Sequence, residues 1–161
     1  MALDDASRAL IRDLLTRSRV LSLAVLVDGA PLVGMLPFAP SRDFRYAVVH
    51  ASRLARHTDG LAAGAPFGIL LHEPDGEEKD ARQLARLSLE GTVRPLAGTA
   101  DEAAARALYL ARFPDSAPIF ELGDFALFAL DFARGRVVGG FAAARNVVAD
   151  DLADAAEAPP A

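Results

Sequence analysis

The sequence predicts an α+β domain made mostly of antiparallel β-strands, with about three helices flanking a small barrel. Many of its apolar segments are short and rich in β-branched residues, which is typical of strands. Tight-turn sequences such as Asp28-Gly29 connect neighbouring segments, so the strands that they join run antiparallel. The number and spacing of the strands favour a closed sheet whose openings are covered by helices.

Composition limits both the class of protein and its partners. The 161 residues suit one domain, and 52% of them are hydrophobic, which is enough to build a core. The absence of cysteine excludes disulfides, zinc fingers, iron–sulfur ligation and a thiol nucleophile. A net charge of −5 disfavours nucleic-acid binding, which needs a basic surface.

The first three elements are predicted to be a helix and a β-hairpin. Asp4 or Asp5 can cap the helix, because a short carboxylate accepts hydrogen bonds from the free amides of the first turn. Residues 20–27 form an apolar run that is typical of a strand buried on both faces. The tight turn leads to a second strand over residues 31–38, which the flanking prolines should end.

A third strand, a second helix and a fourth strand are predicted next. Residues 44–50 form the third strand, with aromatic and apolar residues on one face. A helix should then run from Ser52 to about Ala63, with Ser52 as its N-cap. Gly64 ends this helix, and residues 66–72 form the fourth strand.

The remaining regular elements are a long strand, a third helix and a last hairpin. Residues 84–94 alternate most regularly and give a strand with one polar face. Thr99 or Asp101 caps the third helix, and a proline closes it. The last hairpin pairs residues 125–132 with residues 136–141.

Two polar segments are predicted to lack regular structure. Residues 73–80 are charged and should form a mobile loop, and residues 150–161 should form a flexible acidic C-terminal tail. The barrel domain then comprises residues 1–149. The acidic N-terminus is unlike a signal peptide, and the longest apolar run is too short to span a bilayer, so we expect a cytoplasmic protein without membrane contact.

The stretch after the third strand is the most informative candidate site. A helix N-terminus there would offer free amides and the positive end of a dipole to an anion. Arg53 and His57 are spaced one turn apart and would share a face, while Ser52 adds a hydroxyl. Together they could hold a phosphate monoester. The alternative is that Ser52 only caps the helix and the basic side chains are solvated.

Two further stretches could line a site. The polar face of the long strand carries Arg86, Ser88 and Glu90. The alternative is that this face is only a solvated sheet surface. The pair Gly139-Gly140 would let a flat ligand approach the backbone, or else marks a bulge at a barrel corner. The three histidines lack metal-site spacing, and the common phosphate-loop, dinucleotide and nucleophile motifs are missing, so we expect neither a metal site nor a catalytic side chain.

Taken together, five segments resemble the pyridoxamine 5′-phosphate oxidase-like family of FMN-binding split barrels, in the branch that includes haem-utilisation proteins. The segments are residues 36–39, 51–58, 85–91, 109–114 and 137–141. Their order and spacing agree from the first helix to about Val148. The resemblance implies a six-stranded split barrel that works as a homodimer, with FMN in two symmetric grooves between the subunits.

The resemblance also implies which residues contact the cofactor. Four would hold the FMN phosphate, at the stretch that the residues themselves indicate: Ser52, Arg53, His57 and Thr58. Three would lie by the isoalloxazine: Leu36, Pro37 and Phe38. Three would come from the barrel wall or from the partner subunit: Arg86, Gly140 and Phe141.

Three positions depart from the family pattern. Gly60 stands where this branch usually has Asn, and Ala142 and Ala143 stand where the family tends to have Gly and Arg. Losing a flexible residue and a cation near the cofactor could weaken FMN binding or abolish haem chemistry. The predicted function is a homodimeric FMN oxidoreductase with an unknown small-molecule substrate, in which the flavin carries the chemistry. The alternatives are a haem-binding or haem-degrading protein on the same fold, and a non-catalytic relative that has lost the cofactor.

Overall fold

A barrel of antiparallel strands forms the centre of the computed structural model, which describes residues 3–140 and 143–159. The strands of this described part are β1 (Val20–Val27), β2 (Ala30–Pro40), β3 (Tyr46–Ser52), β4 (Pro66–His72), β5 (Arg86–Pro95), β6 (Phe125–Val138) and β7 (Ala144–Val148). Its α-helices are α1 (Asp5–Arg17), α2 (Glu102–Arg112) and α3 (Ala149–Glu157). Short 3-10 helices cover Arg56–Gly60, Ala81–Gln83 and Pro114–Glu121.

Six strands close the barrel. Their hydrogen-bonded order is β3-β2-β1-β4-β5-β6, and β3 pairs with β6 to complete the ring. The seventh strand, β7, pairs antiparallel with β6 outside this ring. The predicted fold class, an α+β protein built on an antiparallel six-stranded barrel, is confirmed.

Two hydrophobic clusters stabilise this arrangement. Alternate residues of the strands fill the barrel interior, where Leu23 of β1 and Leu87 of β5 are fully buried, and Ile11 of α1 packs against them. On the outside, α2 covers β3 and β6, so that Tyr109 packs near Val48. Within the described residues, no helix is long and apolar enough to cross a membrane.

The helix predicted over residues 52–63 is wrong. The structure has only the short 3-10 helix Arg56–Gly60, which packs into the barrel opening next to β1. A side chain at Gly60 would put its Cβ 2.6 Å from the Cβ of Val25, and Leu61 is buried in the core. The close approach of this segment to β1 therefore overrides its local helix signals.

The predicted last hairpin is also wrong. Residues 125–138 form the continuous strand β6, and the reversal comes after Val138, where the chain returns as β7. Gly135 lies inside β6 against β5, where a Cβ would meet the Ser88 carbonyl oxygen at 2.1 Å. This glycine is therefore required by close strand contact instead of by a turn.

Two other expectations need correction. The C-terminal tail contains helix α3, because Leu152 and Ala155 on one side of it are fully buried against the barrel and α1. Of the two prolines predicted to end β2, Pro37 lies inside the strand, which passes there from pairing with β1 to pairing with β3, whereas Pro40 is its last residue as predicted. Strand β1 is buried on one face only, and Leu26 on its outer face is exposed.

Candidate functional site

The predicted phosphate-binding residues surround the turn that follows β3. The Ser52 hydroxyl donates a hydrogen bond to Oδ2 of Asp124 at 2.8 Å and accepts one from the Leu54 amide at 3.1 Å. The Arg53 amide donates to the Asp124 carbonyl oxygen at 2.6 Å. Asp124 thus already binds both the hydroxyl and the first amide that a phosphate at this turn would use.

The two remaining phosphate candidates face inward. The Thr58 hydroxyl donates to the Ser52 carbonyl oxygen at 2.6 Å. The His57 ring packs next to Gly34 of β2, and its Nε2 is buried without a hydrogen-bond partner in the described part of the chain. Burial lowers the pKa of His57, which favours the uncharged ring. Neither side chain is arranged to bind an external anion.

Arg53 is the exception among the four. Its side chain is exposed, and its guanidinium has no hydrogen-bond or ion-pair partner among residues 3–140 and 143–159. The adjacent anion, however, is the Asp124 carboxylate, which would repel a phosphate. The residues as arranged therefore fit the FMN phosphate poorly, because the Asp124 carboxylate offsets the attraction of the Arg53 guanidinium.

The residues expected beside the isoalloxazine have mixed exposure. Leu36 and Phe38 point into the barrel core, and Phe38 has 0% exposure. The Arg112 guanidinium lies 5.3 Å from the centroid of the Phe38 ring. Only Pro37 of the three is exposed to a ligand.

The third group of candidates lies at the other end of the barrel. Arg86 begins β5 and pairs with His72 and Val138, whereas Ser52 pairs with Phe125 at the start of β6. The two groups are thus separated by the length of this 14-residue strand. Gly140 follows β6 with a positive φ of 126°. Phe141 and Ala142 lie outside the described residues.

A cleft that the sequence analysis missed lies beside α1, at the end of the barrel that holds Arg86. Its volume is about 520 Å³, and it is bounded by the C-terminal half of α1, the start of β1 and the end of β4. Its walls are largely apolar: Leu10, Leu14, Val20, Leu21, Met35, Leu70 and Leu71. Arg17 and Arg19 also line it, but the Arg19 guanidinium lies 5.3 Å from the centroid of the Phe113 ring, outside the cleft lining; His72 and Glu73 lie at its edge. We refer to it as the α1 cleft.

His72 has a defined ring orientation in the α1 cleft. Its Nδ1 lies 2.7 Å from the Glu73 carbonyl oxygen, and because that oxygen can only accept, Nδ1 carries the proton. In the neutral ring, the lone pair is therefore on Nε2. This is the arrangement in which a histidine can ligate a metal. Within the described residues, no group of three His, Cys, Asp or Glu side chains could hold a metal ion by itself.

An exposed apolar surface adjoins the α1 cleft. The outward side chains of β1, β2 and β4 form it: Val20, Leu26, Val33, Met35 and Leu70. Val33 and Met35 are the most exposed, at 71% and 68%. We call this surface the apolar sheet face. Contiguous exposed apolar surfaces of this kind are typical of interaction sites.

Comparison with solved structures finds the same fold in other proteins. A haem-binding protein from Mycobacterium smegmatis has a TM-score of 0.79 and 24% identity, covering 96% of this chain and 62% of its own. The chain thus spans about three fifths of that relative's length. A FAD- and haem-binding protein from the same species has a TM-score of 0.58 and 19% identity, covering 92% of this chain and 72% of its own.

A third structure connects the fold to the family that the sequence resembles. It is a Clostridium acetobutylicum protein related to general stress protein 26, of the pyridoxinephosphate oxidase family, with a TM-score of 0.69 and 14% identity over 93% of this chain and 99% of its own. No family model and no curated protein matches the chain. The fold that the sequence resemblance implied is confirmed: this chain has the same split-barrel fold as these proteins, one of which belongs to the pyridoxinephosphate oxidase family.

Proposed function

We propose that this protein binds haem in the α1 cleft. The observation that carries the proposal is the presence, along one cleft, of apolar walls, two arginines and a histidine whose Nε2 has no hydrogen-bond partner among the residues that the structure describes. Two solved proteins with the same fold are named for haem binding, which supports the choice of cofactor.

The cleft suits each part of the haem molecule. Leu10, Val20 and Leu70 would pack against the macrocycle, and the volume of about 520 Å³ is within the range of small-molecule sites. One propionate would pair with the Arg17 guanidinium through charge-assisted hydrogen bonds, and the other with the Arg19 guanidinium once that group leaves the Phe113 ring. Arg17 already forms an exposed ion pair with Asp13 at 3.3 Å, which a propionate could replace.

His72 would ligate the haem iron. Its hydrogen bond to the Glu73 carbonyl fixes the ring and directs the lone pair to Nε2, as is usual for a metal-ligating histidine. Bound haem supplies a redox-active iron. The role of the protein would be to hold the macrocycle, to orient it through His72 and to shield it from water.

We further propose that a second copy of the chain covers the apolar sheet face. The cleft and this face share Val20, Met35 and Leu70, so the partner would close the open side of the cleft. A stable interface buries on the order of 1,200–2,000 Å² in total, and an apolar centre is typical of homodimers. Size-exclusion chromatography with light scattering would report the dimer directly.

Parallel titrations with haemin and with FMN test the choice of cofactor. We expect haemin to bind more tightly, and we expect the double variant Arg17→Gln, Arg19→Gln to weaken haemin binding by about tenfold or more, since two charge-assisted bonds are lost. Arg136→Gln, an exposed arginine bonded to Asn146, is the matched control. FMN binding tighter than haemin would contradict the proposal.

The second candidate is an FMN-dependent oxidoreductase. The exposed guanidinium of Arg53, which has no partner in the described part of the chain, favours it, whereas the neighbouring Asp124 carboxylate opposes it. FMN would carry the hydride or electron transfer, and the turn after β3 would hold its phosphate. Quenching of FMN fluorescence on addition of the protein, lost in Arg53→Gln, would support this function. A dimer that takes up neither haemin nor FMN would support the non-catalytic alternative.

A further inference from the structure

A second pocket lies on the outer side of the barrel, away from the α1 cleft. This open pocket is bounded by α2, the 3-10 helix Pro114–Glu121 and the outer faces of β3 and β6, and its volume is about 480 Å³. It shares no lining residue with the α1 cleft. We call it the α2 pocket.

A buried histidine lines this pocket. His50 of β3 is 7% exposed and stacks on Phe120, with ring centroids 3.9 Å apart and the planes at 12°. Neither ring nitrogen forms a hydrogen bond with any residue that the structure describes, so both are available to a molecule in the pocket. Burial and the nearby Arg106 lower the pKa of His50, which favours the neutral ring with one donor and one acceptor.

Charged groups of α2 face the same space. Glu102 and Arg106 are four residues apart and both line the pocket, yet in the described structure they do not pair with each other. Glu102 accepts from the Gly98 amide at 2.8 Å, and Arg106 donates to Glu121 at 3.3 Å. Arginine has five donors, so most of those of Arg106 stay available to a ligand.

We propose that the α2 pocket binds a small monocarboxylate with an apolar or aromatic body. The guanidinium of Arg106 would bind the carboxylate, and the His50 ring would supply a second donor. Phe125 and Leu127 would contact the apolar part. Glu102 and the Glu121 carboxylate that pairs with Arg106 would repel a second negative charge, so dianions such as phosphate and dicarboxylates are disfavoured, and a monocarboxylate would use the Arg106 donors that Glu121 leaves available.

Benzoate is a suitable probe, with binding followed by the amide NMR shifts of the full chain. We expect saturable 1:1 binding with the largest shifts in α2 and β3. His50→Phe keeps an aromatic ring but removes both nitrogens, and Arg106→Gln removes the charge. Each should weaken benzoate binding by about tenfold or more, as expected when a hydrogen bond to a charged group is lost. Thermal unfolding would verify that each variant is folded.

Two controls make the test specific. Arg134→Gln removes an exposed arginine that pairs with Glu90 outside the pocket, and it should bind benzoate normally. Benzamide lacks the charge and should bind at least about tenfold more weakly than benzoate. The proposal is overturned if benzoate fails to bind at millimolar concentration, if His50→Phe and Arg106→Gln bind it unchanged, or if Arg134→Gln weakens it equally. Haemin binding to the α1 cleft is measured separately and does not depend on this result.

Discussion

The substitution Asp124→Asn removes one negative charge from the turn after β3 and changes little else. The asparagine oxygen can still accept the hydrogen bond from the Ser52 hydroxyl, and the backbone carbonyl of residue 124 still accepts from the Arg53 amide. If the FMN phosphate can occupy this turn at all, the variant should bind FMN more tightly than the natural chain does.

The size of the effect follows from Coulomb's law. Two like charges about 4 Å apart repel by about 1 kcal/mol in water and by about 4 kcal/mol at the effective dielectric constant of a protein surface. Asp124 is partly exposed, so we expect the lower part of this range, about 1–2 kcal/mol. That corresponds to roughly fivefold to thirtyfold tighter FMN binding.

Fluorescence titration with FMN and with riboflavin separates the phosphate effect from contacts with the flavin ring. Riboflavin lacks the phosphate, so its affinity should be unchanged in Asp124→Asn. Asp115→Asn, at another exposed position, is the matched control. An unchanged FMN affinity, or an equal gain for riboflavin, would refute the reasoning that Asp124 opposes a phosphate at this turn.

The remaining predictions concern stability and assembly. Leu152→Ala should lower the free energy of unfolding by about 2–5 kcal/mol in urea titrations, because Leu152 of α3 is fully buried; no change would mean that α3 does not pack. Arg112→Ala should cost about 1–3 kcal/mol, since its guanidinium donates to the Thr16 carbonyl at 2.9 Å and to the Ser18 carbonyl; an unchanged melting temperature would contradict this. Met35→Glu should give a monomer in light scattering, whereas an intact dimer would exclude the apolar sheet face as the interface. Burial lowers the pKa of His57 from 6.5, so its contribution to the free energy of unfolding should be complete above pH 6.5 and lost as the pH falls through the lowered pKa. His57→Gln should reduce this pH dependence in urea titrations. An identical pH profile in the variant would contradict the prediction.

Local sequence was sufficient to predict the strands whose apolar runs end at clear turn signals. Residues 20–27 and 66–72 are strands with the predicted bounds. The predicted helix after Ser52 failed because its capping and stop signals are local, whereas the contact of Gly60 with Val25 is not. The C-terminal helix was missed because acidic, Ala-rich composition outweighed the spacing of Leu152 and Ala155, which was visible in the sequence.

At the candidate sites too, the sequence indicated residues that are close together in the chain but not those that only the fold brings together. The sequence placed Ser52 and Arg53 correctly where the third strand ends. It could not indicate Asp124, which reaches the same turn from 72 positions away in the chain. The α1 cleft is assembled from α1, β1, β2 and β4, and its histidine and arginines have no common spacing that a motif could describe.

The Soret absorption of haemin titrated into the natural chain and into His72→Ala tests the central claim most directly. We predict a shifted Soret band that saturates at one haem per chain, and a loss of that band position in His72→Ala, with His50→Phe retaining it. An identical spectrum and affinity in His72→Ala, or no Soret shift in the natural chain, would contradict haem ligation in the α1 cleft.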